Sequence, residues 1–287
     1  MPGLRCDNMN KDKRMHILVT NDDGVHAPGL LALASVMRQC GQVSVVAPDR
    51  NWSGCGHVKT LNRPLRVREV RLADGTTALT SDGAPSDCVA MAVMGLLSKK
   101  VDLVVSGINP MANMGHDVTY SGTVTAVMES IIWGVPGIAV SLDGGRRAEM
   151  ELDFGVAARV ARFIVRNVIE RGLPQGVLLN VNVPALPAEA IKGIRPTRQG
   201  MRVYRDRLEQ RQDPRGNAYY WIGGDAPSGV VENGTDIGAV ANGYVSVTPL
   251  HLNMTAHPAL LGLARWNWRE ALSLSANSTL PQSPAWR

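Results

Sequence analysis

Two adjacent carboxylates follow the first predicted strand of the chain. Asp22 and Asp23 come almost directly after the short β-branched run of residues 16–20. Neighbouring carboxylates at a strand end repel each other unless a cation or hydrogen bonds compensate their charge. Because the nearby donors are Ser and Asn oxygens rather than a Cys or His cluster, the expected cation is hard, namely Mg²⁺, Mn²⁺ or Ca²⁺. The alternative is an Asx-turn in which the two residues cap the following helix.

A second feature is the tripeptide Ser121-Gly122-Thr123, which stands where a helical pattern begins. Backbone N–H groups and small hydroxyls at a helix N-terminus suit a phosphate, and glycine lets the anion approach closely. An ordinary helix N-cap is the alternative. A hard cation beside an anion pocket is the arrangement that phosphoryl transfer needs, so the two features together indicate that chemistry.

Apolar runs that alternate with helical patterns must position these residues. We predict strands at 16–20, 43–47, 101–106, 137–142 and 177–183, and helices at about 30–40, 88–97, 123–133 and 151–171. The strands lack polar alternation, which predicts an α/β fold with a mostly parallel sheet and helices on both faces. Ligands bind beyond the carboxyl ends of such strands. This rule selects the loops 21–24, 48–56 and 107–123.

The pattern changes after Pro184. The stretch 191–243 is rich in Arg and Gly and predicts hairpins, and a further strand at 244–248 and a helix at 257–272 follow it. We therefore expect an α/β core at 15–190, a region of hairpins at 191–243, a closing strand and helix at 244–272, and flexible tails at 1–14 and 273–287.

Composition excludes several classes of protein. With 45% hydrophobic and 19% charged residues, the 287-residue chain is neither disordered nor a coiled coil. Its four cysteines are far apart and contain no C-x-x-C pair, so neither a disulfide scaffold nor structural zinc is expected. Dinucleotide-binding, Walker-type and G-x-S-x-G motifs are absent. No apolar run is long enough for a membrane span or a signal peptide, and we expect a soluble cytoplasmic protein.

The net charge of +5 is concentrated in two segments. Residues 195–215 carry seven arginines against three acidic residues, and residues 63–71 carry four against one. Such segments are typical of solvated faces, but they also suit an anionic metabolite, a partner protein or, less plausibly, RNA. Neither segment is a continuous run of like charge, so binding to nucleic acid is not the expected function.

The segment Ile17–Gly29, with the sequence ILVTNDDGVHAPG, closely resembles the opening of the SurE family of metal-dependent nucleoside 5′-monophosphate phosphatases. The resemblance covers about residues 15–260. It continues at Ala47–Asn51, Ser53-Gly54, Pro85–Val89, Ser106–Asn109, Asn113–Gly115, Asp117-Val118, Tyr120–Val124, Asn180–Pro184 and Val247–Leu250. Met111 and Asn253 depart from the family pattern, which usually has Gly and an acidic residue there.

The resemblance implies a Rossmann-like sheet and a set of site residues. The metal would be held by Asp22, Asp23, Ser53 and Asn109, and the phosphate would lie against Asn113, Ser121, Gly122 and Thr123. Both sets fall in the loops that the topology selects. The family also implies a homodimer or homotetramer, with residues 191–243 as the oligomerising part.

The implied function is a 5′-nucleotidase that needs one divalent cation per subunit, Mg²⁺ or Mn²⁺, and hydrolyses nucleoside monophosphates. Activity toward 3′-nucleotides and short polyphosphate would accompany it. Asp22, Asp23 and Asn109 are the expected catalytic residues. Two alternatives stay open: Asp22 acts as a nucleophile that forms an aspartyl-phosphate, or the protein is a non-catalytic nucleotide sensor whose basic surface binds a partner.

Overall fold

The structure is a computed structural model that describes residues 14–145, 152–224, 228–266 and 268. The chain divides into two compact units, Met1–Leu252 and Asn253–Arg287. Residues 1–13 and 273–287, which make up nearly all of the predicted tails, lie outside the described residues.

A nine-stranded sheet is the framework of the first unit. Its spatial order is β3-β4-β2-β1-β5-β6-β7-β13-β8. The strands are β1 (His16–Thr20), β2 (Gln42–Pro48), β3 (Val67–Arg71), β4 (Thr77–Ser81), β5 (Leu103–Asn109), β6 (Gly137–Asp143), β7 (Val177–Pro184), β8 (Ile194–Pro196) and β13 (Val245–His251). The six strands from β4 to β7 in this order pair in parallel, whereas β3 and β13 run antiparallel to β4 and β7. The predicted mostly parallel sheet is therefore confirmed.

Helices cover both faces of this sheet, as predicted. They are α1 (Pro28–Met37), α2 (Pro85–Met91), α3 (Gly122–Ile132), α4 (Gly155–Arg171) and α5 (Asp236–Ala241). Successive strand residues point to opposite faces, so Ile17 and Val19 pack with α1 and α4, while Leu18 packs with α2 and α3. All three of these strand side chains are fully buried. Burial on both faces explains why the strands are continuous apolar runs.

Two elements differ from the sequence prediction. Helix α2 begins at Pro85 rather than Cys88, because proline suits the first helical position and the Asp87 carboxylate accepts a hydrogen bond from the Ala84 N–H at 2.9 Å. Asp87 thus caps the helix from within its first turn, and a π-helical turn at Ala92–Leu96 extends the helix. The antiparallel pair of strands β3 and β4 was not predicted.

The region after β7 contains the predicted hairpin and a helix that was not predicted. Strands β10 (Asp206–Gln212) and β11 (Ala218–Gly224) form an antiparallel hairpin, and β9 (Arg202–Val203) pairs with β12 (Ser228–Gly229). The six-residue helix α5 was missed, since it is too short for a helical period to show. Within the second unit, helix α6 (His257–Leu263) ends well before Leu272.

No helix among the described residues is long and apolar enough to cross a membrane.

The fully buried carboxylate of Asp236 joins three distant segments. Its Oδ2 accepts a hydrogen bond from the Gly115 N–H at 2.8 Å, and its Oδ1 accepts bonds from the Gly200 and Ile237 N–H groups at 2.7 and 2.8 Å. Gly115 lies in the loop after β5, and Gly200 lies just before β9. Asp236 therefore fixes the chain after β7 to the loop that leads into α3.

We predict that Asp236→Ala lowers the free energy of unfolding by about 3 kcal/mol or more, because it leaves buried N–H groups without an acceptor. Urea denaturation measures this loss. The matched control is Asp74→Ala, which removes a partly exposed ion pair with Arg38 and should cost at most about 1 kcal/mol. Equal losses in the two variants would contradict the assigned role of Asp236.

Candidate active site

The loops after three parallel strands meet at one edge of the sheet. Strand β1 lies between β2 and β5, so successive connections leave it in opposite directions and open a crevice at its carboxyl end. A cleft of about 640 Å³ occupies this position. Its lining residues are Asp22, Asp23, Asn51, Ser53, Gly54, Asn109, Pro110, Met111, Ala112, Asn113, Asp117, Tyr120, Ser121, Asp143, Gly145 and Arg202.

Asp22 is the most deeply buried carboxylate of the cleft, with 3% of its surface exposed. Burial raises its pKa above the ordinary value, against the opposing effect of hydrogen bonds from the Thr123 hydroxyl and from the backbone of Gly122 and Thr123. The N-terminal end of α3 therefore already faces an anion, and that anion is a side chain of the protein itself. Gly122 and Thr123 support Asp22 in this structure.

Residue 122 must be glycine because the Asp22 side chain lies directly against its Cα. A Cβ atom there would lie 2.6 Å from the Asp22 Cβ and 2.8 Å from its Oδ2. Any larger residue would push the carboxylate out of its place. Ser121, one residue earlier, caps α3 through its Oγ, which accepts a hydrogen bond from the Val124 N–H at 3.1 Å. The N-cap alternative is thus realised, and the Ser121 hydroxyl still lines the cleft.

The capping alternative for the two adjacent aspartates is not realised. Helix α1 has Ala27 at its N-cap, with no side-chain hydrogen bond. The turn after β1 is instead held by Asn21, whose Nδ2 donates to the Gly24 carbonyl at 2.9 Å. Asp22 and Asp23 both line the cleft.

A bulge at the end of β5 directs Asn109 into the cleft. Strand β5 pairs with β6 in constant register as far as Ser106, and one extra residue then shifts the pairing so that Asn109 lies opposite Ser141. The Asn109 Nδ2 donates to the Met111 carbonyl at 2.5 Å. Since this bond engages the amide nitrogen, the amide oxygen is the atom that Asn109 offers to a ligand.

Buried amides from β7 hold Asn113 in place. Asn182 Oδ1 accepts a hydrogen bond from the Asn113 N–H at 2.7 Å, and the Nδ2 atoms of Asn180 and Asn182 donate to its carbonyl at 2.8 and 3.1 Å. The Asn113 Nδ2 donates to Ser141 Oγ at 2.8 Å. Both peptide groups and the side chain of Asn113 are therefore fixed by the sheet.

The donors in the cleft fit a hard divalent cation. Asp22, Asp23, Ser53 and Asn109 offer carboxylate, hydroxyl and amide oxygens, and all four residues line the same cleft. Oxygen donors of this kind suit Mg²⁺ or Mn²⁺ better than Zn²⁺. No cluster of three or more His, Cys, Asp or Glu side chains suited to a metal occurs among the described residues. A site here would accordingly combine two carboxylates with uncharged donors.

One wall of the cleft comes from the region after β7. Arg202 in β9 donates from Nε to Asp117 Oδ2 at 2.5 Å, and the Tyr204 hydroxyl donates to Asp117 Oδ1 at 2.6 Å. Burial and the contact with Asp117 raise the pKa of Tyr204. Arg202 and Asp117 both line the cleft and are largely buried. The segment that leads into the hairpin thus contributes a side chain to the site.

The loop after β2 is tied to α3 by a buried carboxylate behind the cleft. Glu129 of α3, with 2% of its surface exposed, accepts hydrogen bonds from His57 Nε2 at 2.9 Å, Lys59 Nζ at 3.1 Å and Trp133 Nε1 at 2.8 Å. Burial alone would raise the pKa of Glu129, but the bonds from His57, Trp133 and Lys59 outweigh it and lower the pKa to about 2.

The structure brings most of the predicted site residues to one place. Six of them line the cleft, namely Asp22, Asp23, Ser53, Asn109, Asn113 and Ser121, while Gly122 and Thr123 lie against Asp22. Sequence reasoning did not assign Arg202 or Glu129 to the site, because nothing local distinguishes them. A signal did exist for Asn180 and Asn182, since two amides at alternate positions of an apolar strand share one face.

Comparisons with known proteins show the family of the chain. The model of the family described as Survival protein SurE matches residues 17–206. The chain belongs to the SurE family. It is similar to 5′-nucleotidase SurE of Chloroflexus aggregans, at 53% identity over 88% of this chain and 100% of the relative. It is also similar to 5′-nucleotidase SurE of Herpetosiphon aurantiacus, at 54% identity over 90% and 100%. The crystal structure of the SurE protein from Aquifex aeolicus matches with a TM-score of 0.73 and 43% identity, and covers 86% of this chain and 98% of that one.

The lowered pKa of Glu129 predicts a pH-dependent contribution to stability in this SurE-family protein. A carboxylate with a folded pKa of about 2 and an ordinary value of 4.5 stabilises the fold above pH 4.5, and this stabilisation is lost as the pH falls toward 2. The gap in free energy of unfolding between the wild type and Glu129→Gln should narrow by about 2 kcal/mol from pH 7 to pH 3.

Urea denaturation at several pH values measures this gap. The control is Glu232→Gln, which alters an exposed ion pair with Arg198, and its gap from the wild type should stay within about 0.5 kcal/mol. A gap for Glu129→Gln that does not change between pH 7 and pH 3 would contradict the assignment.

Proposed function

We propose that this SurE-family protein is a metal-dependent 5′-nucleotidase that hydrolyses nucleoside monophosphates to nucleoside and phosphate. The observation that carries the proposal is that oxygen donors from three loops line one cleft. These donors are Asp22 and Asp23 in the first loop, Ser53 in the second and Asn109 in the third. Support also comes from the relatives of about 50% identity that are named 5′-nucleotidase SurE. The names of these relatives also favour catalysis over a non-catalytic nucleotide sensor.

The chain's own residues would bind and orient the phosphate. Asn113 lines the cleft and is held by the sheet, and its Nδ2 would donate to the phosphate the hydrogen that makes only a long 3.5 Å contact with the Met111 carbonyl. The Ser121 hydroxyl lines the cleft with a hydrogen left to donate. Gly122 and Thr123 would keep the Asp22 carboxylate in place beneath the phosphate. Fixed donors aimed at phosphoryl oxygens stabilise the charge that develops in the transition state without reorganising.

Asp22, Asp23, Ser53 and Asn109 would hold the divalent cation, Mg²⁺ or Mn²⁺. When bound, the cation supplies Lewis-acid stabilisation of the phosphoryl group and makes water a better nucleophile. Asp23 is only partly buried in the cleft and is placed to accept a proton from the attacking water. The Asn109 oxygen is oriented toward the cleft by the bond from its nitrogen to Met111.

The proposal extends to a wider substrate range. A cleft of about 640 Å³ exceeds the needs of a phosphate alone and leaves space for a nucleoside. Met111 and Tyr120, which are both more than half exposed and line the cleft, offer apolar surface to a base. Hydrolysis of 3′-nucleotides and short polyphosphate belongs to the same proposal.

We also infer that the protein forms a homodimer or homotetramer through the hairpin β10–β11. Leu208 and Ile222 lie opposite each other on one face of the hairpin, and Trp221 lies on the other face, each with at least 60% of its surface exposed. Apolar exposure on both faces of a two-stranded ribbon favours coverage by another copy of the chain. A cytoplasmic location is consistent with the free thiols of Cys40, Cys55 and Cys88.

We predict phosphate release from 5′-nucleoside monophosphates that requires added Mn²⁺ or Mg²⁺ and is abolished by Asp22→Asn. The substitution removes the buried carboxylate charge while it keeps the side-chain size. Phosphate release from a panel of 5′- and 3′-nucleotides, with and without each cation, measures this and ranks the substrates.

Two other outcomes would overturn parts of this proposal. No release with any cation, while AMP still raises the melting temperature in a metal-dependent way, would identify a nucleotide sensor. A trapped covalent phospho-enzyme that disappears in Asp22→Asn would assign Asp22 as the nucleophile.

Asn109→Ala should lower turnover by about 100- to 1000-fold, because it removes the amide oxygen that would hold the cation at the developing charge, and one preorganised electrostatic contact of this kind contributes about 3–4 kcal/mol. Steady-state kinetics at saturating Mn²⁺ measures the loss. Asn167→Ala is the matched control, since Asn167 lies in α4 and its Nδ2 donates to the Phe163 carbonyl away from the cleft. Wild-type turnover in Asn109→Ala would remove Asn109 from the site.

A further inference from the structure

Ser53 is the exposed member of the proposed cation donors and lies outside any strand or helix. The segment between Pro48 and Val67 carries it as a long loop. An exposed hydroxyl on a loop is a weak ligand unless the loop is held in one geometry. The contacts that hold this loop therefore decide whether Ser53 can contribute to the site.

Backbone contacts anchor the loop on both sides of Ser53. The Trp52 N–H donates to the Asp22 carbonyl at 2.7 Å, and the Gly56 N–H donates to the Tyr120 carbonyl at 2.9 Å. The Thr125 hydroxyl of α3 donates to the Gly56 carbonyl at 3.0 Å. These contacts bind the loop to the turn after β1 and to the start of α3.

Glu129 supplies the side-chain anchor immediately after this point. Its carboxylate accepts hydrogen bonds from His57 and Lys59 of the loop. Trp133, which lies one turn further along α3, donates a hydrogen bond to its Oε1. Lys59 also lies 5.7 Å from the centroid of the Trp133 ring. A nearly fully buried carboxylate with three donors has one defined position, so the loop residues that bind it take a defined position as well.

We propose that Glu129 is a positioning residue for the cation, which acts by holding Ser53 at a fixed distance from Asp22. This proposal rests on the cation site of the proposed function. The same helix, α3, holds Asp22 at its N-terminal end and the Ser53 loop at Glu129, two turns further along. Glu129 itself does not line the cleft, so its effect on the cation passes through the loop.

The far end of the loop has an anchor of its own. Asp87 of α2 accepts hydrogen bonds from the Thr60 N–H at 2.9 Å and from the Thr60 hydroxyl at 2.7 Å. Loss of the Glu129 contacts therefore leaves Thr60 in place and frees the chain between Gly56 and Thr60. The turn that carries Ser53 then keeps only its contacts at Trp52 and Gly56, without the side-chain anchor that follows them.

The test is a titration of the protein with Mn²⁺ alone, without nucleotide, followed by calorimetry or by electron paramagnetic resonance. Glu129→Gln should weaken Mn²⁺ binding by about 10-fold, the size of effect expected when a group that orients a ligand is altered. Ser53→Ala should weaken binding to a similar extent. The double variant should bind no more weakly than Ser53→Ala, because Glu129 acts through Ser53.

Matched variants separate this role from general destabilisation. Glu232→Gln, a change of the same chemistry at an exposed position, should leave Mn²⁺ affinity unchanged. If Glu129→Gln fails to fold, His57→Ala combined with Lys59→Ala removes the same contacts from partly exposed positions and should give the same 10-fold loss.

The outcomes distinguish the two proposals. Full Mn²⁺ affinity in Glu129→Gln, or a loss that adds to that of Ser53→Ala, would overturn the positioning role. Full affinity in Asp22→Asn would instead overturn the cation site itself. Loss of binding in Asp22→Asn together with wild-type binding in Glu129→Gln would leave the nucleotidase proposal standing and remove the role of Glu129.

Discussion

The burial of one negative charge at the end of β1 sets the demands on the rest of the site. Asp22 is almost withdrawn from water, and a carboxylate there is costly unless donors or a cation compensate it. In this protein the Thr123 hydroxyl and the backbone at the start of α3 form hydrogen bonds with the carboxylate. The backbone can approach it because residue 122 has no side chain. The orientation of α3 against the sheet is therefore tied to the position of this carboxylate.

The polar side chains at the carboxyl ends of the central strands fall into two groups. Some are held by hydrogen bonds, and others are buried without a hydrogen-bond partner among the described residues. Asn113 is held by three side chains of β6 and β7, whereas the hydroxyls of Thr20 and Ser106, neighbours across β1 and β5, are buried without a hydrogen-bond partner among the described residues. Unpaired buried hydroxyls cost free energy. Such unpaired polar groups are expected beside the cleft, where the proposed cation and phosphate would bind.

Whether a part of the fold could be predicted from the sequence depends on whether interactions local in the sequence or distant in it create that part. The buried strands were visible as apolar runs, and the strand-end rule then located the loops that carry Asp22, Ser53 and Asn109. Strand β3 was not visible as a strand because it is the outermost strand of the sheet and lacks the burial that would impose an apolar pattern. Strand β4 is largely buried, but its five residues Thr77–Ser81 are a short mixture of polar and apolar types.

Side chains that act across long separations were not predictable from local pattern. Arg202 meets Asp117 across 85 positions, and His57 meets Glu129 across 72. Arg202 is one of seven arginines in its segment, and Glu129 resembles any glutamate on a helix. Their roles depend on the packing of α3 and of the chain after β7, which composition and spacing do not encode locally.

Two different parts of the fold set the positions of the cation donors. Helix α3 holds Asp22 at its start and the Ser53 loop through Thr125 and Glu129, so a shift of this helix moves both donors together. Asn109 depends instead on the bulge between β5 and β6 and on its bond to Met111. Protein interiors are close-packed and transmit strain. The distances between the proposed donors therefore depend on how α3 packs on the sheet relative to the bulge. The packing of α3 against β5 and β6 is therefore the structural condition under which the proposed donors can face one cation.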